Sequence, residues 1–430
     1  MTRIFDLQLK ADRSGAQFFG ALLLLALFYS AYRYPFQISS AGTSPGYSDT
    51  PLVLQVGKYA LFLAFAFWRT TLLVRMGLKR LSITYDGALL CICAFYLALH
   101  PVIALLTDPD PSKLINGLFW LAMPLLLVAP ADVDGAPRPI RIEFLGRVLS
   151  FFLYANFCFL VLEIILFLFF QRLPALSYDD SILVRFGGIW DDPNGHCIFL
   201  SFFMPLAAYS QGSYKKKIFD LVALIFMMLA TQSVTGIIAS ISAFFLSTTL
   251  LLFVDRNRAI YRRTLILPLI LMFGLLVIVF FVEPLRQIFK DGFSTYIELK
   301  SGSVDGHAKS LESLESAGWL ELAGLESAGT WGESGYANWV VNFGLIYLMA
   351  FGLVALVVLA RTIRLIKRHR NSDHRIFLCS ILCFQLTYFV GMVNLPLDTV
   401  FPTNLLFVLL SAISFHNLVS PSANLAVAAR

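Results

Sequence analysis

Three stretches of this 430-residue chain gather side chains that can bind anions or move protons. "RFGGIWDDPNGHCIFL" (185–200) sets Arg185, Asp191, Asp192, Asn194 and His196 at the mouth of an apolar run. "SGSVDGHAKS" (301–310) carries His307 and Lys309, and "GTWGESGYANWVVNFG" (329–344) carries Glu333 and Tyr336 ahead of another apolar run. An arginine beside a helix start offers a planar fork of donors next to free backbone N–H groups, which suits a phosphate. A histidine titrates near neutral pH and is the commonest general base. A carboxylate such as Glu333 can also take the proton of a sugar hydroxyl, so the base is open between His307 and Glu333. Each residue has a plainer role too. Asp192 or Asn194 is a good N-cap with Pro193 in the first turn, Glu333 complements a helix dipole, and a lone loop histidine is often only surface.

The elements that must position these residues are membrane spans. The chain is 58% hydrophobic and 14% charged, and apolar runs of about 20 residues, the length of a bilayer crossing, recur from end to end. The pattern predicts an all-α polytopic membrane protein of one integral domain (1–430) with twelve spans. These lie near 15–33, 52–74, 83–106, 112–130, 148–171, 196–212, 217–232, 234–254, 264–284, 338–360, 376–394 and 401–417. The seventh and eighth are split at "TQSVTG", because one helix of that length would overshoot the bilayer. With both termini cytoplasmic, 24 of the 33 Lys and Arg residues fall on cytoplasmic segments, as the positive-inside bias requires. The basic excess therefore reports topology rather than nucleic-acid binding.

The opposite face then holds a smaller loop at 172–195 and a large one at 285–337, the latter with eight acidic and four basic residues. Segments of the large loop can lie on the membrane surface as short amphipathic helices. Lys58 and Glu163 fall within spans at similar depth, where a charge needs a partner or a wet cavity, so the two are expected to pair or to line one cavity. The six cysteines have no spacing of a zinc site or a disulfide framework. No Asp-x-Asp or histidine cluster calls for a metal, and no cofactor motif is present.

The segment 185–200 resembles the arginine-then-Pro-Asn helix opening of the O-antigen polymerase and O-antigen ligase superfamily. "SGSVDGHAKSLE" followed by "GTWGESGYANWVVNFGLIYL" is similar to the long periplasmic loop and following helix of its polymerase branch. The resemblance covers about 170–360; the first 150 residues match only as a hydrophobic pattern. It implies a GT-C-type fold in the bacterial inner membrane, with the active site facing the periplasm. It also implies metal-independent transfer of a growing glycan from undecaprenyl diphosphate to a lipid-linked repeat unit. Arg185, with Arg172 as a weaker candidate, takes the donor diphosphate. His307 and Glu333 take the catalytic region, and Asn194, Tyr336 and Lys309 the substrate region. The implied partners are undecaprenyl-diphosphate-linked oligosaccharides, the lipid bilayer and a chain-length-regulating co-polymerase. Ligases carry an "HN" pair where this chain reads "GESGYAN", and often Ser-Arg where it reads "SVTG"; both departures favour the polymerase branch. A ligase, and a polysaccharide transporter or flippase, are the competing readings.

Overall fold

The computed structural model describes residues 38–40, 63–74 in part, 81–107, 117, 119–130, 140–174, 178–179, 184–254 apart from 191 and 210–212, 309, 312–325, 334–393 apart from 370, 403–415 and 418–419. The protein is mostly helical. In chain order the helices are α1 (Tyr85–Thr107), α2 (Ala122–Leu127, entered by a 3-10 turn at Phe119–Leu121), α3 (Ile142–Phe170), α4 (Pro193–Leu200), α5 (Phe203–Tyr209), α6 (Tyr214–Ala230) and α7 (Val234–Val254). They continue as α8 (Trp319–Leu322), α9 (Gly335–Arg368), α10 (Ser372–Gly391) and α11 (Thr403–Ile413). Strand pairs of two or three residues tie off the loops, Leu81–Ser82 against Ala129–Pro130 for example. Among the described residues, four helical stretches are long and apolar enough to cross a bilayer: Leu145–Phe170, Val234–Val254, Gly335–Arg368 and Ser372–Gly391. This is a membrane-embedded helical protein. The expected spans 15–33 and 264–284 lie outside the described residues.

Contacts between helix ends define two faces. At one, Asp86 at the start of α1 pairs with Arg364 (3.2 Å) and Arg361 (3.9 Å) near the end of α9, and Arg361 Nε donates to the Ser414 carbonyl just past α11. At the other, the Phe186 N–H bonds the Ala230 carbonyl at the end of α6, and Arg185 Nε donates to the Thr231 carbonyl beside it. We call these the Asp86 face and the Arg185 face. The break expected at "TQSVTG" is present: α6 ends at Ala230, Thr231 and Gln232 turn, and α7 starts at Val234. The Thr231 hydroxyl bonds the Met228 carbonyl and the Gly236 N–H bonds Ser233 Oγ, so the hydroxyls satisfy the backbone that the break frees.

Two predicted spans are interrupted. The one expected at 196–212 is α4 and α5, separated by a turn at Ser201–Phe202. The one expected at 338–360 is the longer α9, in which Gly344 has φ +82° and ψ 170°. That conformation is open to glycine and strained for other residues. In a straight helix Trp339 and Phe351 would stand about 18 Å apart along the axis, yet their rings meet at 4.3 Å, and Tyr336 and Phe351 at 6.4 Å. The half-helix 335–343 therefore folds back along 345–351. Phe351 lies ten residues from Arg361, about 15 Å, so this half-helix re-enters to roughly mid-bilayer. Irregular backbone survives at such depth only when buried in protein, and Asn338, Trp339 and Asn342 are indeed buried.

Candidate functional site

The 185–195 segment is likewise drawn down into the helices. Its Gly188 N–H donates to Glu163 Oε2 (2.8 Å) and its Ile189 N–H to Asn156 Oδ1 (3.0 Å), both acceptors on α3. Trp190 continues inward to Phe152, ring centroids 6.0 Å apart, ten residues into α3. Two intramembrane polar side chains thus satisfy the two N–H groups of an irregular backbone that has no helix to bond to. The expected pairing of Glu163 rested on its needing a partner at depth, and Gly188 supplies one; Lys58 lies outside the described residues. Gly188 has φ +62°, and a Cβ there would stand 2.5 Å from Asn156 Oδ1, so the turn requires glycine on both counts.

Asn156 also fixes the state of His196. Its Oδ1 is taken by the Ile189 N–H, so the amide nitrogen, which only donates, faces His196 Nε2 at 2.7 Å. Nε2 must accept, which places the proton of the neutral ring on Nδ1. The imidazole stacks on Trp190 (5.8 Å, 15° between planes), and Trp190 stacks in turn on Phe199 (4.8 Å). Both rings are fully buried. His196 Nδ1 and Trp190 Nε1 find no acceptor among the described residues.

Above this knot sits Arg185. Its Nε donates to the Thr231 carbonyl in the turn between α6 and α7 (3.0 Å), and its Nη2 to Asn194 Oδ1 (2.5 Å). One guanidinium thereby joins the loop, the start of α4 and the α6–α7 turn. Its third nitrogen, Nη1, has no partner among the described residues, and the side chain is only half-buried. Asp192 caps α4, accepting from the Asn194 N–H (3.0 Å) and the Gly195 N–H (3.3 Å), with Pro193 in the first turn. The cap answers the choice left open by the sequence. The N–H groups that could have seated a phosphate are held by the protein's own carboxylate, so a phosphate at that helix end would have to displace it.

The remaining sequence candidates scatter. Arg172 is exposed on a strand pairing Arg172–Pro174 with Ile38–Ser40. Tyr336 is on the re-entrant half-helix, where its hydroxyl donates to the Phe389 carbonyl of α10 (2.6 Å). Lys309 is exposed. His307 and Glu333 lie outside the described residues. The sequence placed His196 in the polar stretch without giving it a role, and did not single out Asn156 and Trp190, although a lone asparagine in the apolar run "LYANFCFLVLE" and the Gly-Gly pair before Trp190 were visible signals. Among the described residues no three His, Cys, Asp or Glu side chains converge as metal ligands. Comparison with known proteins finds no matching family model, no matching curated protein and no matching solved structure.

Proposed function

We propose that the protein is a periplasmic membrane glycosyltransferase that polymerises lipid-linked glycan repeat units. It transfers a growing chain from undecaprenyl diphosphate to a sugar hydroxyl in a twelve-span, GT-C-type fold of the bacterial inner membrane with both termini cytoplasmic. The observation that carries this reading is Arg185. A guanidinium pinned through Nε and Nη2, with Nη1 unpartnered among the described residues, is a pre-positioned donor at the end of an apolar helix bundle. A lipid-linked diphosphate would present its charge there and its tail to the surrounding bilayer. Holding the diphosphate charge makes it a better leaving group, and the attacking hydroxyl needs one base, His307 or Glu333 in this reading. The orientation draws support from the faces: Asp86, Arg361 and Arg364 share the end at which the sequence places the cytoplasm.

The test is polymer length in cells and with purified protein given a lipid-linked repeat unit. Arg185→Ala, and also Arg185→Lys, which loses the planar fork, should cut turnover by about 100- to 1,000-fold, the range for removing one preorganised charge-stabilising contact. An Arg185→Ala variant that is present at normal levels and makes full-length polymer removes Arg185 from the site. A flippase is the second reading, favoured by the interruptions at Gly344 and Ser201–Phe202, since transporters build their sites from discontinuous helices. Proteoliposomes separate the two: elongation of the repeat unit marks the polymerase, and translocation without elongation marks the flippase.

A further inference from the structure

The described part of the large loop, 312–325, is seated at one point. Gly324 (φ +75°) lies against Gly344, the residue that reverses α9, and the two approach so closely that a Cβ on Gly344 would stand 2.4 Å from Gly324 N. A Cβ on Gly324 would meet the Phe343 carbonyl at 2.5 Å and His100 Nε2 at 2.9 Å. The His100 ring packs edge-on against Phe343 and Tyr347, so α1, the turn of α9 and the loop close on one another. Just before the seat, α8 is stiffened by the Gly318 N–H donating to Glu321 Oε2 (2.7 Å).

The height of this seat follows from the helices beneath it. From Asp86 to His100 along α1 is about 21 Å, and from Arg361 to Gly344 along α9 about 26 Å. The Asp86–Arg361–Arg364 cluster marks one polar boundary, so the seat lies close to the other side of a hydrocarbon core of ~30 Å. Two large apolar side chains flank it, Trp319 at 72% exposure and Leu325 at 54%. Below them α1 and α9 present an exposed apolar band that includes Phe95, Leu99, Ile346 and Met349, the surface that faces lipid. Trp319 and Leu325 are exposed beside the seat, at the level of that band's upper edge, where tryptophan is favoured because one end of its ring is apolar and the other polar. Glu312, Glu315 and Glu321 on the same segment argue against attraction to anionic headgroups and for insertion driven by apolar area.

We infer that 312–325 is a membrane-interface anchor. Trp319 and Leu325 enter the headgroup layer at the Arg185 face, and the Gly324–Gly344 seat passes that anchorage to the re-entrant half-helix 335–343. The partner is the bilayer itself, and the inference is independent of the reaction proposed above. It is tested on the full chain carrying Cys158→Ser, which removes the one exposed native thiol among the described residues. Single cysteines are introduced as Trp319→Cys, Leu325→Cys and Glu315→Cys and labelled with an environment-sensitive fluorophore. The protein is then placed in vesicles of phosphatidylethanolamine and phosphatidylglycerol, with the chain lacking a new cysteine as background. Labels at 319 and 325 should be quenched by lipids carrying a shallow spin label and should show iodide quenching about threefold or more below that at 315. Equal iodide access at 319 and 315 overturns the anchor. Gly324→Val should then raise iodide access at 319 toward the value at 315; unchanged access in a variant that folds overturns the seating. If Gly324→Val does not fold, amide exchange of 335–343 in vesicles and in detergent replaces it: faster exchange in detergent supports the brace, and equal exchange overturns it.

Discussion

Replacing Asn156 with leucine tests whether the loop under Arg185 is held by intramembrane side chains. Leucine keeps the branched heavy-atom skeleton of asparagine and suits a buried position, although its methyl groups are bulkier than the amide. The change removes two strong hydrogen bonds and a weak one at 3.4 Å to Met227 Sδ: the Ile189 N–H loses its acceptor and His196 Nε2 its donor. Both partners are buried, and neither can reach water in place. An orphaned buried donor or acceptor costs about 1–3 kcal/mol, so the pair predicts a loss of about 2–6 kcal/mol. Asn156→Asp separates the two terms. It keeps an oxygen for Ile189 but cannot donate to Nε2 unless one ring or carboxyl gains a proton, so it should recover part of the loss and do so better at acid pH. The assays are unfolding of the purified protein in detergent and amide hydrogen exchange of peptides covering 184–192. Exchange should accelerate in Asn156→Leu specifically in that segment before global unfolding. A loss below about 1 kcal/mol with unchanged exchange at 184–192 would refute the reasoning, because the loop would then be held by something other than α3.

Three further outcomes follow from the same geometry. Gly344→Ala should cost at least about 1–3 kcal/mol from backbone strain alone, with more from overlap with Gly324, whereas Gly352→Ala, where an added Cβ meets nothing within 4 Å, should be neutral in the same unfolding assay. Glu163→Gln retains an acceptor for the Gly188 N–H and should leave exchange at Gly188 slow, while Glu163→Ala should speed it; equal behaviour of the two would remove Glu163 from the loop's support. Burial, and then the Arg375 charge, lowers the His369 pKa below the ordinary histidine value. The unfolded chain therefore binds its proton more readily, and this contribution, present above about pH 6.5, is lost as pH falls below it. The thermal midpoint should accordingly drop on acidification, and His369→Gln should flatten that slope.

The period and length of the apolar runs were enough to place α3, α6, α7 and α10 within a few residues, because a helix in lipid must satisfy its own backbone and needs a fixed length of apolar chain to do so. The N-cap of α4 was legible for a similar local reason: Asp-Pro-Asn-Gly is cap chemistry whatever surrounds it. The re-entrant segments were not legible. Hydropathy cannot distinguish a half-helix that starts at mid-bilayer and turns back near the outer boundary from the first turns of a full span, since both are apolar. The difference at Gly344 lies in one backbone conformation and in the Gly324 contact 20 residues earlier in the chain. The same limit explains Glu163. Read alone, a carboxylate at depth asks for a cation, because a charge in lipid is costly. An irregular loop at the same depth asks for acceptors just as strongly, and only the fold shows that Gly188 and Glu163 are at one level. Arg185 carries the consequence. Its place in the sequence suggested a donor wholly available to a phosphate, but two of its three nitrogens are spent on Thr231 and Asn194. Any anion it binds meets the Nη1 edge of a fork already fixed in direction. An effect of Arg185→Ala on turnover must therefore be measured beside Asn194→Ala. Losing Asn194 frees Nη2 without removing the charge, so it should disturb the aim of the guanidinium and spare most of its attraction for a phosphate.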